Sequence, residues 1–328
     1  MFETALWMPT DVAVKDVVDV AVAAEAEGYD YFLVPDEGLT RDVFVALTAI
    51  AQNTERIKFG PAIINPYTRH PVASAVAVAT LDEISGGRAF MGYGIGGSLV
   101  LGPMGYEIKR PLQIIREAIE ITAGLYRGEK VNYDGEFFKV KDAYVHFDVR
   151  QIPIYYASRG PKMMELGGEL TDGQFLSGKP KFELQHTRDI VMQGANKTGR
   201  DPKLFYSVHV AYEEKIIEDI KANYTYMIVD SPETIQRKLG LSAEQVEEIR
   251  STMVAEGIRG AAKFITPELL SHFIIMGDDE ACAAEIAHIM KTYQFQVFTL
   301  PVPAIKGLEP MISRISKIIK QAKEIYAQ

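Results

Sequence analysis

The sequence predicts an α/β barrel, a closed ring of eight parallel strands joined by helices. Three observations carry that prediction. Short β-like runs alternate with helical patterns along the whole chain, which is how parallel strands and their crossover helices read. The strand-like runs number eight. No Pro- or Ser-rich linker and no short-period repeat divides the 328 residues. Length alone would allow two domains, and a doubly wound sheet would show the same alternation. The count of eight and the missing boundary favour one barrel.

Each element has its own signal. Thr4–Met8 reads as the first strand, ended by Pro9-Thr10-Asp11. Val14, Val17, Val18, Ala21 and Val22 recur on one helical face until Gly28 stops the helix. Tyr31–Val34 is the second strand and Asp42–Gln52 the second helix; Lys58–Ile64 and Val72–Ile84 follow, the latter ended by Gly86-Gly87. Ala89–Tyr93 is the fourth strand and runs into a Gly-rich loop. Leu112–Leu125 is helical, and Asp134-Gly135 between Val131–Tyr133 and Phe137–Val140 signals a hairpin. Ile154–Tyr156, the helix Pro161–Leu170 with Pro at its first position, Gly173–Phe175, Phe205–Tyr212 and Gln296–Leu300 complete the set. A long stretch, roughly 216–290, reads as a helical insertion before the last strand. The final helix lines up Ile312, Ile315, Ile318, Ile319, Ala322 and Tyr326.

Composition narrows the function. Hydrophobic residues are 47% and charged residues 24%, which supports a large core and excludes disorder as the main state. The 35 basic and 44 acidic residues leave a net charge of -9 and no basic run, which argues against nucleic acid or anionic lipid as partner. Cys282 stands alone, so neither an internal disulfide nor a cysteine metal site is expected. Charged residues near the start exclude a signal-peptide core there, and no apolar run is long enough to span a membrane. The expectation is a cytoplasmic protein.

In such a barrel chemistry belongs at the strand C-termini: Met8–Asp11, Asp36–Gly38, Asn65–His70, Gly94–Ser98, Ala157–Lys162 and Ser177. Gly92-Tyr93-Gly94-Ile95-Gly96-Gly97 satisfies G-x-G-x-x-G, but in the fourth unit and without an acidic residue ending the next strand. It reads as a loop where backbone approaches a ligand or turns sharply. Ser158-Arg159-Gly160-Pro161-Lys162 opens a helix, and two readings stand: a phosphate site of free N–H groups, hydroxyl and cations, or a helix capped by Ser158. Asp36-Glu37 could supply an acid or base, or cap the next segment. His70 reads as a structural hydrogen-bonder. No metal site can be assembled, and no H-E-x-x-H, P-loop or G-x-S-x-G is present.

Two stretches resemble a known family: Gly60-Pro61-Ala62-Ile63-Ile64-Asn65-Pro66-Tyr67-Thr68-Arg69-His70-Pro71 and Ala79-Thr80-Leu81-Asp82-Glu83-Ile84-Ser85-Gly86-Gly87-Arg88-Ala89. They are similar to the bacterial-luciferase-like flavin and deazaflavin barrels, and most similar to the methylenetetrahydromethanopterin reductases that use coenzyme F420. Ile152–Tyr156, Gly160-Pro161, Leu170–Gly173 and Phe273–Asp278 continue the likeness over nearly the whole chain. The resemblance implies a TIM (β/α)8 barrel with the cofactor ring at the strand C-termini. It also implies a non-proline cis peptide between Ala62 and Ile63 that bulges against the ring, with Asp36 and Asn65 beside it. Gly96, Gly97 and Ser98, with Ser158, Arg159, Gly160 and Lys162, would hold the cofactor's side chain and phosphate.

Leu6 stands where the family's first strand carries a glutamate, and Glu3 lies on the other strand face. Glu37 replaces a histidine after Asp36, and Leu300-Pro301-Val302-Pro303-Ala304-Ile305 replaces a Gly-Ser-Pro-Ile-Gly-Pro stretch. The resemblance thus implies an F420-dependent oxidoreductase acting on a C1-carrying tetrahydropterin, with Asp36 or Glu37 as proton source. An FMN-dependent monooxygenase and a non-catalytic flavin- or deazaflavin-binding paralogue are the alternatives. A homodimer or higher homo-oligomer is expected by resemblance.

Overall fold

The structure is a computed structural model; it describes residues 1–303 and 305–328, and of Ser98 and Leu99 the backbone alone. The chain opens with β1 (Glu3–Trp7), α1 (Val14–Glu27), β2 (Tyr31–Val34), α2 (Val43–Asn53), β3 (Lys58–Pro61), α3 (Pro71–Ser85) and β4 (Met91–Gly94). A single turn α4 (Ser98–Leu101) precedes α5 (Pro111–Tyr126) and the antiparallel hairpin of β5 (Val131–Asp134) and β6 (Lys139–Ala143). Then come β7 (Ile154–Ala157), α6 (Pro161–Leu170), β8 (Gly173–Ser177), α7 (Leu184–Asn196) and β9 (Lys203–Ser207). The strand expected over 205–212 breaks after Ser207, leaving β10 (Val210–Ala211) separate. After it lie α8 (Glu214–Ile220), α9 (Asn223–Val229), α10 (Glu233–Lys238), α11 (Ala243–Ala261), α12 (Pro267–Ser271) and β11 (Ile275–Met276). The chain closes with α13 (Asp279–Thr292), β12 (Val297–Pro301) and α14 (Glu309–Ala327).

Eight strands form one sheet in the order β3-β2-β1-β12-β9-β8-β7-β4, every pair parallel. Bridges Phe59–Ala89 and Ile64–Tyr93 join the ends, so the ring closes. Glycine makes that closure possible: a Cβ at Gly60 would lie 2.2 Å from the Phe90 carbonyl oxygen, and one at Gly92 2.0 Å from that of Pro61.

Side chains sort by strand parity. Leu6, Phe32, Phe59, Met91, Tyr156, Leu176, Tyr206 and Phe298 point outward into the large core beneath the helices. Ala5, Tyr31, Leu33, Ala62, Phe90, Tyr155, Phe175, Phe205 and Val297 fill the interior, where Phe175 and Phe205 pack with ring centroids 4.8 Å apart. Below this plug, Lys58 and Lys203 pair with Glu3, and Lys203 Nζ donates to the Tyr31 hydroxyl at 3.0 Å. The N-terminal end of the barrel is thereby shut, and the C-terminal end is left for ligands.

The stretch 216–290 is not helical throughout. β11 pairs in parallel with β10 in a small separate sheet. Cys282, Ala283, Ile286 and Met290 of α13 sit in the main core, so α13 is a barrel helix and the inserted helices end before it. Insertion helices α8 and α9 pack around a second core of Ile216, Tyr224, Ile228, Leu270 and Phe273.

The Asp82–Arg88 stretch is structural. All five Arg88 N–H donors are used, on Ser85 O, Thr54 Oγ1, Ile57 O, Ala51 O and Thr54 O at 2.8–3.0 Å. The guanidinium thus satisfies carbonyls at the C-termini of both α2 and α3, where helix dipoles favour a cation. Gly86 and Gly87, at φ 70° and 98°, turn the chain so that Arg88 can reach them.

Candidate active site

The mouth of the barrel is built from loops after the strands. After Pro61, β3 departs from period two: Ala62 and Ile63 both join the interior cluster while Ile64 faces outward. Their peptide bond is cis. The bulge is held by Ala62 N–H to Val34 O at 2.7 Å, Asp36 N–H to Ile63 O at 3.1 Å, and Trp7 Nε1 to Ala62 O at 2.9 Å. Gly94 makes room for it, since a Cβ there would lie 2.7 Å from Ile63 Cγ1.

Asn65 is buried, and its Oδ1 accepts from the N–H groups of Tyr67 and Thr68, at 3.1 and 3.0 Å, and from the Thr68 hydroxyl. It shapes the turn after the bulge. Gly96 turns at φ 79° against Leu101, while Gly97 is open, with nothing near its Cβ position. The Ser98 side chain lies outside the described residues.

Asp36 and Glu37 differ sharply in surroundings. Both Asp36 oxygens accept from Arg69, Nε to Oδ2 at 2.6 Å and Nη2 to Oδ1 at 3.1 Å. Arg69 also bonds Asp42 Oδ2 at 2.8 Å and lies over the Phe44 ring. This fork ties the loop after β2 to the loop after β3. Glu37 makes no ion pair among the described residues. Burial, then the neighbouring charges of Asp11 and Asp36, raise its carboxyl above the ordinary range.

At the other side of the mouth α6 begins. Gly160 is its N-cap and no side chain caps it. Ser158 does not cap the helix; its Oγ is buried near the Tyr156 hydroxyl. Arg159 and Gly160 are exposed at the turn. Lys162 lies elsewhere, lining an outer groove between α5 and α6 with Gln113, Arg116, Glu165 and Lys197. Lys179, just after β8, donates to the Arg159 carbonyl at 2.7 Å. Burial, with the Arg159 charge second, lowers its ammonium below the ordinary lysine range. Two cations so close suit an anion.

Four residues the sequence reading did not assign to the site belong to its geometry: Trp7, Arg69, Lys179 and Tyr226. Arg69 stood in a visibly polar stretch, and Lys179 two residues past a strand end. Tyr226, on α9, is half-buried; burial raises its phenol, with the charges of Arg159 and Glu37 acting on it from nearby. Leu6 is fully buried in the outer core, so position 6 does not face the mouth, and Trp7 is the β1 residue that does. The carboxyls that gather at the mouth are instead Asp11, Asp36 and Glu37, on the loops after β1 and β2.

The family profile described as "Luciferase-like monooxygenase" matches residues 1–294. The chain belongs to that family. Among relatives of this luciferase-like barrel, the 5,10-methylenetetrahydromethanopterin reductase of Archaeoglobus fulgidus is 32% identical over 284 residues, 84% of this chain and 86% of that protein. The enzyme of the same name from Methanolobus tindarius is 32% identical over 292 residues, 87% and 89% of the two chains. The solved structure of the coenzyme F420 dependent tetrahydromethanopterin reductase from Methanopyrus kandleri superposes with a TM-score of 0.87 at 25% identity, covering 97% of this chain and 98% of that one. Among the described residues no His, Cys, Asp and Glu grouping could hold a metal, and no helix is long and apolar enough to cross a membrane.

Proposed function

We propose that this luciferase-like barrel is an F420-dependent oxidoreductase that passes hydride between the deazaflavin and a C1-carrying tetrahydropterin. One observation carries the reading: an apolar interior-facing bulge shares the mouth with an uncapped helix N-terminus at whose turn two cations, Arg159 and Lys179, crowd together. A flat ring with an anionic side chain fits that pairing. Relatives 32% identical over most of the chain, named as methylenetetrahydromethanopterin reductases, point to the same chemistry.

Bound F420 supplies the hydride. Ala62 and Ile63 would back its ring, with Gly96 and Gly97 admitting its side chain past the loop after β4. Ser158, Arg159, Gly160 and Lys179 would hold its phosphate, through hydrogen bonds and charge. Asp36, locked to Arg69, positions the two loops that frame the ring. Glu37 would hold the proton to be exchanged, because its raised carboxyl keeps a protonated fraction, whereas both Asp36 oxygens are engaged by Arg69. Tyr226, close enough to feel the charges of both Glu37 and Arg159, would limit water at the mouth.

The reading extends to a homodimer or higher homo-oligomer. Helix α2 carries no ionisable side chain, yet Val45 is 62% exposed on it, and Val76 and Ile84 are exposed on neighbouring α3. Light scattering after size exclusion measures the mass; a monomer at micromolar protein refutes this part.

The test is titration with F420 and FMN, each oxidised and reduced, followed by absorbance and fluorescence. Turnover of a methylene-tetrahydropterin with reduced F420 comes next. Selective F420 binding with turnover is expected. Selective FMN binding, with oxygen consumed when reduced FMN is supplied, overturns the proposal in favour of a monooxygenase.

A further inference from the structure

We propose that Ser177, Ser207 and Thr299 form a hydroxyl row that hydrogen-bonds the polar edge of the second substrate, a flat lactam-bearing heterocycle. The proposal rests on the reading above and names the substrate wall of that site. Phe175, Phe205 and Val297 point into the barrel. Ser177, Ser207 and Thr299 lie two residues further along the same three strands, so they face the interior one layer nearer the mouth. The register sets them side by side: Ser177 opposite Ser207, and Ser207 opposite Thr299.

Thr299 is 1% exposed, and its Oγ1 has no protein partner. Folding does not require a hydroxyl there, since Val297 fills the equivalent place one layer down. A buried hydroxyl without a partner is disfavoured, which points to a ligand atom that completes it. Ser207 is half-buried and Ser177 exposed, so the row runs from the barrel interior out to the mouth.

Its position opposes the bulge. In the ring order β3-β2-β1-β12-β9-β8-β7-β4, β9 is the strand furthest from β3 in either direction. Ser207 therefore stands across the mouth from Ile63, with β1 midway round the ring and its Trp7 indole held to the Ala62 carbonyl. A cofactor ring against Ile63 and a substrate ring against the hydroxyl row would meet face to face, the arrangement hydride transfer needs.

The experiment compares wild type, Thr299→Val, Thr299→Ser and Ser207→Ala in turnover of a methylene-tetrahydropterin by reduced F420, with F420 binding and Tm measured alongside. Thr299→Val is expected to raise KM about tenfold, change kcat less, leave F420 affinity unchanged and keep or raise Tm. Ser207→Ala should raise KM in the same sense, and Thr299→Ser should restore it. Unchanged KM in both Thr299→Val and Ser207→Ala overturns the row while the functional reading stands, as does a fall in Tm with F420 affinity lost in parallel. A wild type that binds F420 but turns over no methylene-tetrahydropterin overturns the functional reading and the assigned substrate together.

Discussion

Glu117 to glutamine is a substitution whose cost can be worked bond by bond. Glu117 is fully buried on α5. Its Oε1 accepts from Gln113 Nε2 at 2.8 Å and the Glu136 N–H at 2.9 Å; its Oε2 accepts from the N–H groups of Phe137 and Phe138 at 2.9 and 3.0 Å. The carboxylate thereby ties the hairpin turn to the barrel, and Gly135 leaves room for it, since a Cβ there would lie 2.3 Å from Oε2. A glutamine must turn its NH2 toward one of these pairs. The cheaper choice places NH2 at the Oε1 position, where Gln113 can flip its own amide but the Glu136 N–H is left without an acceptor. That orphan costs about 1–3 kcal/mol. The two bonds at the other oxygen fall from charge-assisted to neutral, about 1 kcal/mol each. The sum, about 3–5 kcal/mol, is a large share of the 5–15 kcal/mol typical of folded proteins. Urea unfolding at pH 7.5, followed by circular dichroism, should show that loss with an unchanged slope. A loss below about 1 kcal/mol would refute the hydrogen-bond account of this carboxyl.

Three other outcomes are expected. Glu37→Gln should lower kcat about 10²-fold or more while F420 titration is unchanged. In the wild type the rate should fall as pH rises through the raised Glu37 pKa, because the protonated form is the donor, and the variant should lose that limb; a variant with wild-type turnover removes Glu37 from the mechanism. Arg88→Lys can keep at most three of five hydrogen bonds, so it should cost roughly 2–3 kcal/mol in urea unfolding without changing KM; a cost under 0.5 kcal/mol, roughly the noise for surface changes, would contradict the capping role. Burial pushes His209 down to about 4, so its native ring stays neutral where the unfolded chain takes up a proton. Stability is then complete above pH 6.5 and falls as pH drops toward 4. Because the ring keeps some exposure, the expected loss between pH 7.5 and 5 is about 1–2 kcal/mol, and His209→Gln should flatten that slope in paired unfolding curves.

The elements legible in the sequence were those with one dominant signal. Tyr31–Val34 and Pro161–Leu170 have the bounds their apolar run and N-terminal proline suggest. Helix α7 was not legible: its buried face is Leu184, Thr187, Val191, Gly194 and Ala195, too small and polar to stand out as a stripe. β11 has only two residues and exists through its pairing with β10. In the site, the segments after the strands were readable from topology, but pairings were not. The Asp36–Arg69 fork joins residues far apart in sequence, and nothing local announces it. Which face of β1 meets the mouth was also hidden, because both faces of a barrel strand are apolar, so Leu6 and Trp7 could not be sorted before the ring closed.

The two ends of the barrel interior hold opposite solutions to the same problem. At the N-terminal end Glu3, Lys58, Lys203 and Tyr31 are polar groups below an aromatic plug, and they satisfy one another. Nothing is left there for a ligand to complete. At the C-terminal end Thr299 Oγ1 is buried without a partner, Lys179 and Arg159 crowd like charges, and Glu37 gathers with Asp11 and Asp36. Each of these is a local cost that a protein selected for stability alone would remove by one substitution, such as valine at 299. The costs also sort by side: cations and the Ser158 hydroxyl lie where α6 begins, carboxyls after β1 and β2, free hydroxyls on β8, β9 and β12. Anion, proton and heterocycle edge are different demands, and a single small ligand would not impose all three. Two ligands meeting over Trp7 would, which is the arrangement a hydride donor and its acceptor require.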